Sequence, residues 1–225
     1  PLEPPLWWFA KVVKASALRE RARADLAIYA DSPSPPDPSA ADDRLLPLVA
    51  LWQPGGQEIP SSVSALPLDW HGPGANPIAI FRSAWSDPRA AYLALKGGRA
   101  SLAHGHMDAG SFVFEANGGR WARDLGMQDY LSLESKGVDL WNAAQDSQRW
   151  QVFRLNNFSH STLTINSHLH RVDGAGAITH FSGNCERRGA IVDLSPVFAG
   201  QAASARRGFL MRPGGCSLLI RDELS

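Results

Sequence analysis

Two histidines one residue apart, followed by an aspartate, head the residues whose types and spacing could do chemistry: His104-Gly105-His106-Met107-Asp108, closed by Ala109-Gly110. In an extended backbone alternate side chains point to one side, so the two imidazoles would converge. A divalent metal takes about four nitrogen, oxygen or sulfur ligands at roughly 2 Å, so the pair needs further donors. The candidates are Asp108, Asp124 and His160. Asp124 lies on the strand returning from the Asn117-Gly118-Gly119 turn. His160 precedes Ser161-Thr162-Leu163-Thr164-Ile165, where Leu163 and Ile165 share one face and His160 falls on the other with the threonines. His71, His168, His170 and His180 read as hydrogen-bonded surface residues and stay outside the candidate set.

Register opposes a simple picture of that site. A tight hairpin at Asn117-Gly118 sets Asp124 opposite Ser111 or Val113, several residues from His106. At about 3.3 Å per residue, straight strands leave the two too far apart. The histidine segment must therefore fold back over the sheet, with Gly105 and Gly110 the expected places for the bend.

The elements that must position these residues follow from where glycine and proline fall. None of the 20 glycines precedes Gly55 and 16 lie at or after Gly97, whereas ten of the 16 prolines lie within the first 60 residues. This shift divides the chain into a helical segment, 1–60, and a β domain, 61–225. Leu6 to Ala30 holds neither Gly nor Pro and reads as one long helix, Ser16 being where a break would fall. The proline-rich run Asp31–Pro38 stops it, and Asp42 is placed to cap a shorter helix near Leu45–Trp52. Beyond Ala65, short apolar runs alternate with turn residues. They predict strands at 78–84, 91–96, 111–116, 120–124, 150–155, 161–165, 177–181, 190–194, 207–212 and 217–221. The fold class expected is mainly β, an antiparallel sandwich preceded by a few helices.

Composition excludes several classes. The 22 basic and 22 acidic residues balance, so no global field steers the chain to nucleic acid. No apolar run reaches the roughly 18 residues that span a bilayer. Two cysteines, Cys185 and Cys216, permit at most one bridge and no four-cysteine zinc site. Both ends read as internal to a longer protein: Pro1 leads into a Trp-rich helix and Leu218–Ser225 reads as a strand ending in nothing.

Three stretches in order, His104-Gly105-His106-Met107-Asp108-Ala109-Gly110-Ser111-Phe112, Gly119-Arg120-Trp121-Ala122-Arg123-Asp124-Leu125-Gly126-Met127-Gln128-Asp129-Tyr130 and Asn156-Asn157-Phe158-Ser159-His160-Ser161-Thr162-Leu163, closely resemble the heparinase II/III-like polysaccharide lyases, which include oligoalginate and heparan-sulfate lyases. The resemblance covers residues 75 to 185, and the helical start looks like the end of the α/α toroid that precedes the sandwich in that family. It implies that His106, Asp124 and His160 hold a structural zinc ion, that His104 faces substrate in catalysis, and that Tyr130 lies beside the cleft. Gly126 and Gln128 shape that loop. Arg99, Gln128 and Arg149 are the expected substrate contacts, with Arg120, Arg123 and Arg154 as further basic groups. Trp121, Trp141 and Trp150 are either stacking platforms or core residues. The implied reaction is β-elimination from a uronic-acid residue of an acidic polysaccharide, in the bacterial periplasm or outside the cell. In the family the main catalytic tyrosine and a further histidine belong to the toroid, which makes the missing toroid an expected partner.

Two rival readings come from other classes. His106, Asp108 and His160 also fit the two-histidine, one-carboxylate triad of a non-heme iron oxygenase. A carbohydrate-binding sandwich module, in which a metal merely ties strands together, is the non-enzymatic alternative.

Overall fold

The computed structural model describes residues 66–85, 87–213 and 217–225, together with positions 9, 10, 12, 18–20, 22–24 and 27. Those earlier positions are all helical. The expected helix near Leu45–Trp52 and the proline-rich connection lie outside the described residues. The chain divides into two units, 1–67 and 68–225.

In the second unit alternation of side chains builds two antiparallel sheets. The first runs in chain order through β1 (Asp69–Gly72), β2 (Ile78–Arg82), β3 (Tyr92–Lys96), β4 (Phe112–Ala116) and β5 (Gly119–Ala122). The second runs through β6 (Ala177–Ser182), β7 (Arg188–Asp193), β8 (Ala205–Met211) and β9 (Leu218–Leu224). In β3, Leu93 and Leu95 are buried while Tyr92, Ala94 and Lys96 keep partial exposure, so the strand presents one face to the core. β8 alternates likewise, except that its inward row holds a charge, Arg207, between Ala205 and Phe209. Asn117 (φ 56°) and Gly118 (φ 78°) both adopt positive φ between the paired residues Ala116 and Gly119. That is the primed turn whose twist matches the flanking strands.

Facing rows of the two sheets meet in one core, with Phe81, Leu93, Leu95 and Phe114 from one side and Val192, Phe209 and Met211 from the other. Val197 and Phe198 join them from the 3-10 turn Ser195–Phe198. Each of these larger side chains contributes roughly 1.5–3 kcal/mol by leaving water. A second cluster of Met107, Leu140, Trp150, Leu155 and Val172 packs under the long loops, and these loops carry the candidate site.

Two expected strands are absent. Residues 150–155 begin within the 3-10 turn Gln148–Gln151 and continue as turns, and residues 161–165, which follow the 3-10 turn Asn157–Ser159, are irregular chain. The adjacent asparagines tie the chain locally, and Asn156 Nδ2–H donates to Trp150 O at 3.1 Å. Asn156 accepts from Phe158 N, while Asn157 bonds Thr164 Oγ1, His168 O and His170 N. Such local partners compete with a ladder. Two elements were not anticipated: β1, four residues hemmed between Pro67 and Pro73, and the helix α1 (Tyr130–Glu134).

His170, expected at the surface, is buried edge-on against Phe198, with ring centroids 5.0 Å apart. Its Nε2–H donates to Leu163 O at 2.8 Å, which leaves Nδ1 as a bare lone pair among apolar neighbours. Burial pushes its pKa down to about 4. A folded pKa below the unfolded one means that the unfolded chain takes up the proton first, so stability present above pH 6.5 is lost as pH falls towards 4. The expected loss is about 3 kcal/mol across that window. Urea unfolding at pH 7 and pH 4.5 should show it, and His170→Gln should flatten the difference; an equal slope in the variant would contradict the assignment.

Candidate metal centre

The histidine segment is an excursion between two strands that remain in register. Gly110 N donates to Lys96 O and Lys96 N to Ser111 O, so residues 97–110 leave the sheet and return to the same rung. The fold-back uses His104 itself (φ 57°) and Gly110 (φ 77°). Gly105 contributes through space and not through φ, since a Cβ there would lie 2.4 Å from Ala100 O. Because the backbone is not extended, the two imidazoles diverge. His104 stacks on Tyr130 and His106 lies against His160. The expected convergence of His104 with His106 is therefore corrected: they serve two neighbouring groups. Next to His106, Met107 is buried in the small core and its N–H donates to Leu155 O, an anchor that presents the flanking His106 and Asp108.

His106 and His160 bring their rings to 5.3 Å. One ligand atom each from His106, Asp108 and His160 lies within 4.8 Å of the others. His160 is not on a strand face turned from the apolar side, as its sequence neighbours suggested; its side chain is fully buried at the end of the Asn157–Ser159 turn. Its Nδ1–H donates to Asp124 Oδ2 at 2.5 Å. Nε2 is then a lone pair, buried and without a hydrogen-bond partner. A carboxylate that fixes one imidazole nitrogen and leaves the other bare is the arrangement seen behind metal-bound histidines. Burial holds the His106 pKa below its usual value, which favours the neutral form a metal requires. The hydrogen bond from His160 holds the Asp124 carboxyl below the usual range, so it is charged, and Gly126 N donates to its other oxygen at 2.8 Å. The donors whose ligand atoms gather are thus the imidazoles of His106 and His160 and the carboxylate of Asp108, types that a divalent ion takes, while Asp124 meets them through His160 Nδ1.

Asp108 is differently placed. Both its oxygens accept from Lys96 Nζ, at 2.8 and 2.9 Å, so its charge is already balanced. Lys96, Asp108 and Asp124 line one open cleft of about 220 Å³ with Ile78, Phe112 and Val113.

The second group lies around α1. Asp129 caps that helix by accepting from Ser132 N at 2.8 Å, which sets Tyr130 at its first position. His104 Nδ1 and Tyr130 Oη are 3.4 Å apart and their rings are nearly parallel. Trp141 stands at right angles to both. Arg149 is buried, donating from Nη1 to Leu140 O and from Nη2 to Gly105 O, so its guanidinium braces the histidine loop. Arg154 does the same for the loop after Asp124 through Leu125 O and Met127 O. Gln128 donates to Ser132 Oγ at 3.1 Å, and Arg99 is exposed. Arg120 pairs with Glu115 of its own hairpin, and Arg123 is exposed.

Sequence reasoning missed Arg207. Its guanidinium grips Asp222 through Nε and Nη2, at 2.7 and 3.0 Å. Its Nη1 donates to Gly110 O (3.2 Å) and Ser161 O (3.1 Å). These carbonyls belong to the two loops that carry His106 and His160, and Thr162 Oγ1 adds a bond to Ala109 O at 2.5 Å. The only available signal was a charge at an inward position of β8.

The family described as Heparinase II/III-like, C-terminal, matches residues 78–225, about two-thirds of the chain, and the protein belongs to that family. Two solved structures carry the comparison further. The heparan sulfate lyase HepC mutant from Pedobacter heparinus is 16% identical with a TM-score of 0.50, over 80% of this chain and 26% of that one. A heparinase III with methylated lysines is 16% identical with a TM-score of 0.51, over 81% of this chain and 26% of that one. At this identity the likeness concerns the fold, which is the antiparallel sandwich expected from the sequence. The chain spans about a quarter of the length of those proteins. A comparison with curated protein sequences finds no match.

Arg207→Met should lower stability by about 3 kcal/mol, since two carbonyls and a carboxylate lose a charged donor. Asp222→Asn should cost clearly less, because the contacts to Gly110 O and Ser161 O survive. Denaturant unfolding of the two variants decides this, and equal losses would show that the bonds to the loops contribute nothing.

Proposed function

We propose that this chain is the sandwich part of a polysaccharide lyase that cleaves uronate-containing polysaccharide by β-elimination, with residues 1–60 continuing a helical toroid. The observation that supports this best is the juxtaposition of His104 and Tyr130, stacked with Nδ1 and Oη 3.4 Å apart, on a loop that two residues later enters a metal-type cluster. The family and its heparan-sulfate-lyase structural relatives agree with it.

The chemistry asks for three things. The C5 proton of a uronate is weakly acidic, so the adjacent carboxylate must be neutralised and the developing enolate-like charge stabilised by prearranged donors. A base must take the proton, and an acid must protonate the departing C4 oxygen. In this reading His104 and Tyr130 face the reacting sugar and share in moving those protons through their 3.4 Å contact, together with the tyrosine and histidine that the family carries in its toroid. Arg99 and Gln128 supply donors to the acidic chain, while Arg149 acts from behind by holding Gly105. A zinc ion held by His106 and His160, with Asp124 fixing His160 from behind through Nδ1, would supply charge that fixes the loops. Asp108 is the carboxylate grouped with these imidazoles, but Lys96 neutralises it, so Asp124 is favoured over Asp108 as the carboxylate on which metal binding depends, through its hold on His160. Among the described residues no helix is long and apolar enough to cross a membrane, and a polymeric acidic substrate suits a periplasmic or secreted protein.

The decisive assay follows the ultraviolet absorbance of unsaturated uronate when the chain, and the protein completed with its toroid, meet alginate, heparan sulfate and hyaluronate. Product should form on one polymer, and His104→Ala or Tyr130→Phe should lower the rate by about 10²–10⁴-fold. Absence of product from the completed protein on all uronate polymers would refute the reading.

The cluster of His106, Asp108 and His160 keeps one rival in view, the iron triad of an oxygenase. A ligand swap separates them. Asp124→Ala should weaken zinc binding by about 10-fold or more, the scale of losing a ligand or its orienting partner, with Asp108→Ala much milder. The reverse order, with iron preferred over zinc on elemental analysis, would favour the oxygenase.

A further inference from the structure

The three tryptophans singled out by the sequence have separate fates. Trp150 is fully buried in the small core, its Nε1–H donated to Ala144 O. Trp121 lies on the outer strand β5 and donates to Ala116 O of its own hairpin. Trp141 alone touches the reacting pair: its ring centroid is 5.6 Å from that of His104 and 5.4 Å from that of Tyr130, perpendicular to each. Even so, it is 60% exposed.

An indole left largely in water forfeits hydrophobic stabilisation, so its being held rigidly calls for a reason. Trp141 is held. Its Nε1–H donates to Glu134 Oε1 at 2.8 Å, which uses its one polar group and fixes the ring plane. The two edge contacts with His104 and Tyr130 restrain it from another side. What remains is apolar aromatic face, oriented in advance and set against His104 and Tyr130, the groups that face substrate in the lyase reading. Aromatic faces carry negative charge density and attract the partly positive C–H groups of a ring lying over them. Immobilising such a face before binding removes part of the entropic cost of association.

We infer that Trp141, oriented by Glu134, is a stacking platform for a pyranose ring of the acidic oligosaccharide, in the subsite adjoining His104 and Tyr130. The inference rests on the lyase reading for the identity of its ligand, and it deepens that reading by assigning a substrate contact that moves no proton. Trp141 therefore governs how tightly substrate is held and not how fast the proton moves.

The test is isothermal titration of the chain with saturated tetrasaccharides of heparan sulfate, alginate and hyaluronate. One of them should bind, Trp141→Ala should weaken it about tenfold, and Trp141→Phe should restore most of the loss. Glu134→Ala, which frees the indole without removing it, should fall between wild type and Trp141→Ala. In the toroid-completed protein Trp141→Ala should raise KM and leave kcat nearly unchanged. Unchanged affinity in Trp141→Ala overturns the platform, as does failure of the wild-type chain to bind any of the three sugars. A change of sedimentation in Trp141→Ala with sugar affinity intact would assign the face to self-association instead. Binding through Trp141 without any unsaturated product would keep the platform and remove the lyase reading; product formation at unaltered KM in Trp141→Ala would do the opposite.

Discussion

A buried imidazole with one nitrogen committed to a carboxylate must do something with the other, and His160 is in that position. Asp124 takes its Nδ1–H, the protein covers its side chain completely, and Nε2 is left without a hydrogen-bond partner while the ring lies 5.3 Å from that of His106. Burying an unpaired lone pair costs free energy unless a donor or cation meets it. Three loops distant in sequence supply His106, Asp124 and His160, and each is pinned by bonds that have no other evident purpose.

The pinning is redundant and uses different chemistry at each point. Met107 is driven into the small core by hydrophobic burial and so fixes the backbone between His106 and Asp108. Arg207 bridges the two loops from beneath, its charge balanced by Asp222 so that a cation can sit in an inward row of a strand. Arg149 and Arg154 brace the loops from the side of α1 through carbonyls. Loops held this way behave as part of the scaffold. Preorganisation of that kind makes a site selective, since little motion is lost when a ligand arrives.

Much of the β architecture was legible beforehand. Period-two alternation is a local property, so the strands at 78–84, 91–96, 111–116 and 177–181 could be read from their own residues, as could the Asn117-Gly118 turn. The failures are instructive. Residues 150–155 and 161–165 look like strands by composition, but the chain between and after them is tied locally by Asn156, to Trp150 O and Phe158 N, and by Asn157, to His168 O and His170 N. His170 looks like a surface residue beside its polar neighbours and lies in the core because Phe198, distant in sequence, covers it. In the candidate site, the residue types and their order were visible. The direction of His104 was not, because it depends on a non-glycine residue, His104 itself, adopting a left-handed φ.

By itself the sequence determined the elements and the inventory: a helical start, a strand-rich remainder, and histidines and aspartates of metal-binding type in three separated stretches. Such properties follow from each residue's own preferences and near neighbours. The tertiary structure alone decided the partners. It sent His104 to Tyr130 and Trp141, joined His106 to His160, made Asp124 the partner of His160, and occupied Asp108 with Lys96. Each of those contacts joins residues well separated along the chain, across distances set by sheet packing and loop closure, and no local preference contains that information.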